Sequence, residues 1–162
     1  PSHLVGAKLA KVTGQDITHV PFRGGAPSLQ AVLAGDVQIL VGTPPVALPQ
    51  IRAGTLKALS LSTRLPSPVI PDVPGSEVAG LPALDITGWW GVWTAARLPN
   101  PIRDRMFSAL RAVLAQQPVQ ARFAQEGLQA LPSESPAEFG RFVQAEMPIW
   151  AEIVKDAGAT AE

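Results

Sequence analysis

Residues 17–61 read ITHVPFRGGAPSLQAVLAGDVQILVGTPPVALPQIRAGTLKALSL, and the order of local signals in this stretch sets the fold class. Ile17 to Phe22 is short, partly β-branched and followed by Gly24-Gly25, the pattern of a strand ending in a tight turn. A helix is expected from about Pro27, with Leu29, Val32 and Leu33 on one face and Gly35 as its stop. Val37 to Val41 is apolar except for Gln38, as in a strand buried on both faces. Gly42-Thr43-Pro44-Pro45 breaks that run, Val46 to Ala53 reads as a short helix stopped by Gly54, and Leu56 to Leu61 reads as a third strand. Alternating strands and helices imply parallel pairing through right-handed crossovers. The predicted class is therefore α/β, a parallel sheet flanked by helices.

Working outward, Ser2 to Thr13 carries Leu4, Val5, Leu9 and Val12 at helical spacing, with Ser2 as cap and Gly14 as left-handed stop. Ser62 to Pro82 holds five prolines and reads as a stiff connector with one helical turn at Ser76 to Ala79. A strand rich in tryptophan (Trp89, Trp90, Trp93) is expected from about Leu84 to Thr94. Beyond Pro99 the chain reads as helical. Ile102, Met106, Leu110, Val113 and Leu114 form one buried stripe, and Pro118 opens a short helix ending at Gly127. Ser135-Pro136-Ala137-Glu138 is a capping box that starts a last helix, in which Pro148 should produce a kink or a break.

The bulk composition narrows the function. Hydrophobic residues make up 46% of the 162, in stretches of strand length, which fits a soluble globular domain with its own core. Thirteen basic and thirteen acidic residues are interspersed, so the basic stripe that nucleic-acid binding requires is missing. With no cysteine, disulfides, thiolate metal sites and cysteine nucleophiles are excluded. The chain opens at Pro1 without an initiator Met or a signal peptide, the pattern of a processed or partial chain.

Catalysis finds no machinery. His3 and His19 lack the helix-spaced histidine or carboxylate that a metal site uses, and no nucleophile elbow, Walker A loop or dinucleotide-binding fingerprint is present. His19, within a predicted strand, reads as structural. An enzyme would come back into view if His3 and His19 met a carboxylate in one pocket. No metal or cofactor is expected.

The chemistry that does emerge lies in three segments at helix starts or after predicted strands: Pro1-Ser2-His3, Phe22-Arg23-Gly24-Gly25-Ala26 and Gly42-Thr43-Pro44. In open parallel α/β sheets ligands bind outside the C-terminal ends of the strands. Small residues, exposed backbone N–H groups and a helix N-terminus make an anion site. The hydroxyls of Ser2 and Thr43 add donors, and Arg23 adds charge. The plainer alternatives are a strand-to-helix turn at Gly24-Gly25, a turn residue at Thr43 and a solvated surface charge at Arg23. Candidate ligand-binding residues are Ser2, His3, Phe22, Arg23, Gly24, Gly25, Ala26, Thr43 and Pro44.

His19-Val20-Pro21-Phe22-Arg23-Gly24-Gly25-Ala26-Pro27 resembles the HVPYKGGGP segment of the Bug/TctC family, the substrate-binding proteins of tripartite tricarboxylate transporters. Leu33-Ala34-Gly35-Asp36-Val37, Ala47 to Leu59, Pro71-Asp72-Val73-Pro74 with Ala79-Gly80-Leu81-Pro82, and Gly88-Trp89-Trp90-Gly91-Val92 are similar to further family segments, in the same order. Ser135 to Phe139 with Trp150 resembles the closing helix, and Pro1-Ser2-His3-Leu4 an early helix start.

The resemblance implies a periplasmic binding protein of type II, a two-lobed receptor that closes on its ligand. Its carboxylates would be held by backbone amides, waters and small polar side chains. It implies a small organic mono- or dicarboxylate as ligand, membrane permease subunits as partners and no enzymatic activity. An extracytoplasmic ligand-sensing subunit is the alternative role. Family chains are about twice this long, so the N-terminal half is expected to be absent. Residues 1–82 would then form most of the second ligand-binding lobe, and residues 83–162 the crossover strand and C-terminal helices of the first. Many relatives carry Asp in the loop where this chain has Gly42-Thr43-Pro44, which disfavours an amino-acid ligand. An unpaired tryptophan-rich edge leads to the expectation of self-association, or of pairing with the absent half.

Overall fold

The computed structural model describes residues 2–158 and forms six helices among them. They are α1 (Ser2–Thr13), α2 (Gly25–Ala34), α3 (Pro44–Arg52), α4 (Asn100–Leu114), α5 (Gln117–Gln125) and α6 (Pro136–Asp156). Each falls on a segment that the sequence reads as helical, with α2 and α3 both starting two residues earlier than expected. The glycine stops hold: Gly14, Gly35 and Gly54 have φ of 64°, 85° and 73°, a region where a Cβ is penalised.

The capping box also forms. Ser135 Oγ accepts from the Glu138 N–H at 3.1 Å, while the Glu138 carboxylate takes the N–H of Glu134, one residue earlier than the usual reciprocal bond. Pro148 does not split α6, which runs unbroken to Asp156. One missing N–H is tolerated because the helix is held from outside, by packing on α1 and by ion pairing. Asp156 accepts from Lys11 at 2.8 Å and lies 3.6 Å from Lys8, tying the end of α6 to α1.

The core sits at this junction. Leu84, Ile86 and Ile153 are buried together, with Leu4, Val5, Leu9, Leu81 and Trp150 packed around them. Each such side chain contributes roughly 1.5–3 kcal/mol on burial. A second contact region joins α3 to the end of α5. A Cβ on Gly127 would stand 2.8 Å from Pro44 Cβ and 3.1 Å from Leu48 Cδ2, so only glycine lets these segments close up.

The expected parallel sheet is not present as hydrogen-bonded strands among the described residues. Residues 17–22, 37–41 and 56–61 carry no helix, and they exchange no ladder hydrogen bonds with one another. Val20, Ile39 and Leu59 are 47%, 48% and 67% exposed. Strand pairing needs neighbouring backbones about 4.8 Å apart with both edges engaged, and apolar alternation alone does not supply that neighbour. The proline-rich connector is stiff for a further reason. Leu61 N–H donates to Pro74 O, Ser76 N–H to Thr63 O and Ile86 N–H to Ser62 O, folding it back on itself.

Candidate functional site

The three segments singled out by their chemistry are linked by direct contacts. His3, in the first turn of α1, stacks on His19 with ring centroids 4.1 Å apart and planes 6° from parallel. That contact fixes the start of α1 against the segment leading into Phe22-Arg23-Gly24-Gly25-Ala26. A Cβ on Gly6 would lie 3.8 Å from Val41, which places α1 beside the segment leading into Gly42-Thr43-Pro44. A Cβ on Gly25 would approach Val46 Cγ2 to 2.8 Å, so the first residue of α2 rests against the first turn of α3. The starts of α2 and α3 thus meet through Gly25 and Val46, while α1 touches the segments leading into them through His19 and Val41.

The glycine loop is shaped by backbone rules. Phe22 O accepts from Gly24 N–H at 2.9 Å, closing a three-residue turn. Gly24 then adopts φ 103° and ψ 176°, a conformation nearly confined to glycine, and leads into α2. The first-turn N–H groups of Gly25 and Ala26 have no acceptor inside the helix and point to its N-terminal side. Ser28 Oγ donates to Gly25 O at 2.8 Å and braces the turn. Arg23 is exposed and forms no ion pair among the described residues.

At α3 the donor supply is smaller than the sequence pattern suggests. Thr43 caps the helix from extended backbone, φ −82° and ψ 152°, and its carbonyl accepts from Val46 and Ala47. Pro44 and Pro45 occupy the first two helical positions, so two of the four free N–H groups do not exist. The Thr43 hydroxyl makes no capping bond, which leaves it and the helix dipole as the contribution of α3.

Ser2 and His3 are exposed, as are Phe22, Gly24, Gly25 and Ala26, while Thr43 and Pro44 are half-buried. The edge is open. Two shallow cavities of about 200 and 190 Å³ lie elsewhere, one at Pro68, Val69 and Leu128, the other at Asp85, Thr87, Glu146 and Trp150. Both are smaller than a typical ligand pocket, and no candidate residue lines either. The two histidines meet, but among the described residues no carboxylate joins them, and no group of three or more His, Asp or Glu is placed to hold a metal.

Sequence reasoning gave His19 only a structural role and passed over Val41 and Val46. The glycine pair carried the signal for Val46, since Gly25 is required where another side chain presses close. It also missed Glu146, whose Oε2 accepts from both indoles Trp89 Nε1 and Trp150 Nε1 at 2.9 Å. The Glu146–Trp150 bond lies within one turn of α6, but nothing local announces the bond from Trp89, 57 residues away.

The family model described as tripartite tricarboxylate transporter family receptor, TctC, matches residues 1–159. A UPF0065 protein of the TAR-I ttuE-ttuC' intergenic region of Agrobacterium vitis is 28% identical over 97% of this chain and 46% of its own length. A UPF0065 protein of the clcB-clcD intergenic region of Pseudomonas knackmussii is 27% identical over 94% of this chain and 90% of its own.

Among solved structures, R. palustris Rpa4515 with adipate superposes with a TM-score of 0.86 at 27% identity, over 96% of this chain and 52% of that one. MatC of Rhodopseudomonas palustris with bound malate gives 0.79 at 30% identity, over 94% and 52%. The periplasmic binding protein BugD gives 0.82 at 27%, over 99% and 54%. The chain spans about half the length of these structures and of the Agrobacterium relative. With a match over nearly its whole length, the chain belongs to the tripartite tricarboxylate transporter receptor family, TctC.

Proposed function

We propose that this chain is part of a periplasmic solute-binding protein that captures a small organic mono- or dicarboxylate, delivers it to the permease subunits of a tripartite tricarboxylate-type transporter and performs no catalysis. The observation that carries the reading is the meeting of the α2 and α3 starts at a glycine turn whose approach is held by α1, in a chain that superposes on neighbours holding adipate and malate. Gly25 and Ala26 N–H groups and the Ser2 and Thr43 hydroxyls donate to a carboxylate, Arg23 supplies charge, and His3, Phe22, Gly24 and Pro44 shape the edge. Positive dipole ends and amide donors favour an anion without a bulky side chain intervening.

In this reading residues 1–82 form most of one lobe and residues 83–162 the crossover strand and C-terminal helices of the other, with α1 packed on α6 where the two meet. Closure of two lobes strips water from the bound acid and strengthens each hydrogen bond, which in an open edge is worth only about 1 kcal/mol. No helix among the described residues is long and apolar enough to cross a membrane. Native mass spectrometry with adipate, malate and an amine of similar size tests the proposal. Retention of either acid, weakened by R23A and absent for the amine, is the expected result. No acid retained at millimolar concentration by this chain or by a full-length version would refute it.

A further inference from the structure

α3 is held between two close contacts, and its residue spacing puts them on opposite sides. Pro44, Leu48 and Arg52 recur at every fourth residue and so form one stripe of the helix. Val46 stands about 200° round the axis from Pro44. The stripe faces the end of α5. A Cβ on the buried Gly127 would stand 2.8 Å from Pro44 Cβ and 3.1 Å from Leu48 Cδ2, and Arg52 Nη1 donates to the Gln125 carbonyl at 2.7 Å. Val46 faces the other way, onto Gly25, where a Cβ would meet Val46 Cγ2 at 2.8 Å.

The end of α5 is shaped to receive this stripe. Leu128 N–H donates to Phe123 O at 2.9 Å and Gly127 N–H to Ala124 O at 3.0 Å, with Gly127 at φ 73°, the paired bonds of a Schellman close. That pattern leaves the Gln125 carbonyl without a backbone partner among the described residues, and Arg52 fills it. A guanidinium at the negative end of a helix gains from the dipole as well as from the hydrogen bond. Arg52 enters no ion pair among the described residues, so its charge serves this cap. Both contacts are close enough to need a glycine, so neither leaves slack. A shift of the α5 cap moves α3, and a shift of α3 moves the glycine turn, because close-packed groups pass displacement on.

We propose that Gly127 and Arg52 are positioning residues for the carboxylate site. The α5 cap, from the C-terminal part of the chain, seats α3 against the first residue of α2. It thereby sets where the Gly25 and Ala26 N–H groups and the Thr43 hydroxyl point. Neither positioning residue touches the acid. The proposal rests on the binding role proposed above, and it makes acid affinity depend on residues 125–127, which carry no anion-binding pattern of their own.

The acid-free chain is tested first, by the amide NMR signals of Gly24, Gly25 and Ala26. Gly127→Ala and Arg52→Met are expected to move them, and Arg52→Lys to return them to their wild-type places. Val46→Ala removes the response to Arg52→Met, because the displacement passes through that side chain. Gly80→Ala is the control: this glycine has φ 79° with nothing within 4 Å of a Cβ, so it bears the backbone strain without the displacement. Native mass spectrometry with adipate and malate then reads affinity. It is expected to fall about three- to tenfold in Gly127→Ala and Arg52→Met and to hold in Arg52→Lys and Gly80→Ala. Arg52 is exposed, so Arg52→Met carries the test should Gly127→Ala fail to fold. Signals that stay in place, that move equally with Gly80→Ala, or that move while affinity holds overturn the proposal. If neither acid binds the wild type, the function proposed above fails, and the amide signals alone decide whether the cap positions the turn.

Discussion

His3 and His19 lie face to face, their ring centroids 4.1 Å apart and their planes 6° from parallel, and this stack is the side-chain link between the first turn of α1 and the approach to the glycine turn. An aromatic pair of this kind contributes about 0.5–1.5 kcal/mol beyond its buried area. His19→Ala is expected to lower stability by about 1 kcal/mol and to weaken carboxylate retention severalfold, whereas His19→Phe preserves most of both. Urea titration read by helical circular dichroism gives the first number and native mass spectrometry the second. Equal losses in the two variants would show that the stack itself is unimportant.

Gly24 holds φ 103° and ψ 176°, a conformation that costs any other residue roughly 1–3 kcal/mol. Gly24→Ala therefore re-aims the turn between Phe22 and α2. A loss of about tenfold in acid affinity corresponds to about 1.4 kcal/mol of that strain being taken from binding. Gly35→Asn serves as the control, because its left-handed site is one asparagine accepts and it lies at the far end of α2. Calorimetry that finds the two variants alike would remove the turn from the site.

Gly91 exists to admit Phe139. A methyl at this position would sit 2.5 Å from Phe139 Cζ and 3.3 Å from Trp89 Cζ3, so Gly91→Ala forces the aromatic cluster apart at a cost of about 1–3 kcal/mol. Adding Phe139→Leu to the same chain should recover part of it. Thermal unfolding followed in the near-ultraviolet, where the tryptophans report, distinguishes this from an unchanged cluster.

One oxygen of Glu146 receives two indole N–H groups, from Trp89 and Trp150. Glu146→Ala leaves both donors half-buried without an acceptor, a loss of about 2 kcal/mol. Glu146→Gln keeps a neutral acceptor, and since charge-assisted bonds are about twice as strong as neutral ones, roughly half the loss should return. Denaturant midpoints for the two variants measure the ratio. A glutamine variant as unstable as the alanine one would mean that the charge, rather than the acceptor, matters.

The tie between α1 and α6 is sensitive to acid and salt. A hydrogen bond from Lys11, supported by the positive charges of Lys11 and Lys8, holds the Asp156 carboxyl below its ordinary value of 3.8. Its stabilisation is full above the unfolded value and is lost as pH falls through the lower folded one. The pair is exposed to water, so added salt should weaken it. Melting temperatures for wild type and Asp156→Asn should converge in strong acid and diverge near neutrality. A gap that persists at low pH would contradict this.

Much of this molecule could be read from its residues in order. The six helices followed from apolar spacing, prolines at first helical positions and glycine stops, and the start of α6 from the Ser135 capping box, because these are local signals a few residues long. The order of family-like segments likewise fixed membership of the receptor family. What lay beyond reach was every relationship that joins distant parts of the chain. β-Branched, apolar and aromatic runs marked residues 17–22, 37–41 and 84–94 as strand-like, yet a strand is completed only by a neighbour's backbone, and the described residues supply none. The prolines read as ending the apolar run before α3 became its first two residues and removed donors expected there.

By itself, then, the sequence determined which segments coil into helices, where they stop and which loops carry anion-binding chemistry, since each depends on short-range sterics and hydrogen bonding. Only the tertiary structure decided that His3 meets His19, that Gly25 rests on Val46, that Glu146 clamps two tryptophans and that Trp90 and Val92 lie exposed. The physical reason is that packing is a property of surfaces brought together by the whole chain. Two side chains far apart in sequence carry no local trace of each other until the backbone between them has folded.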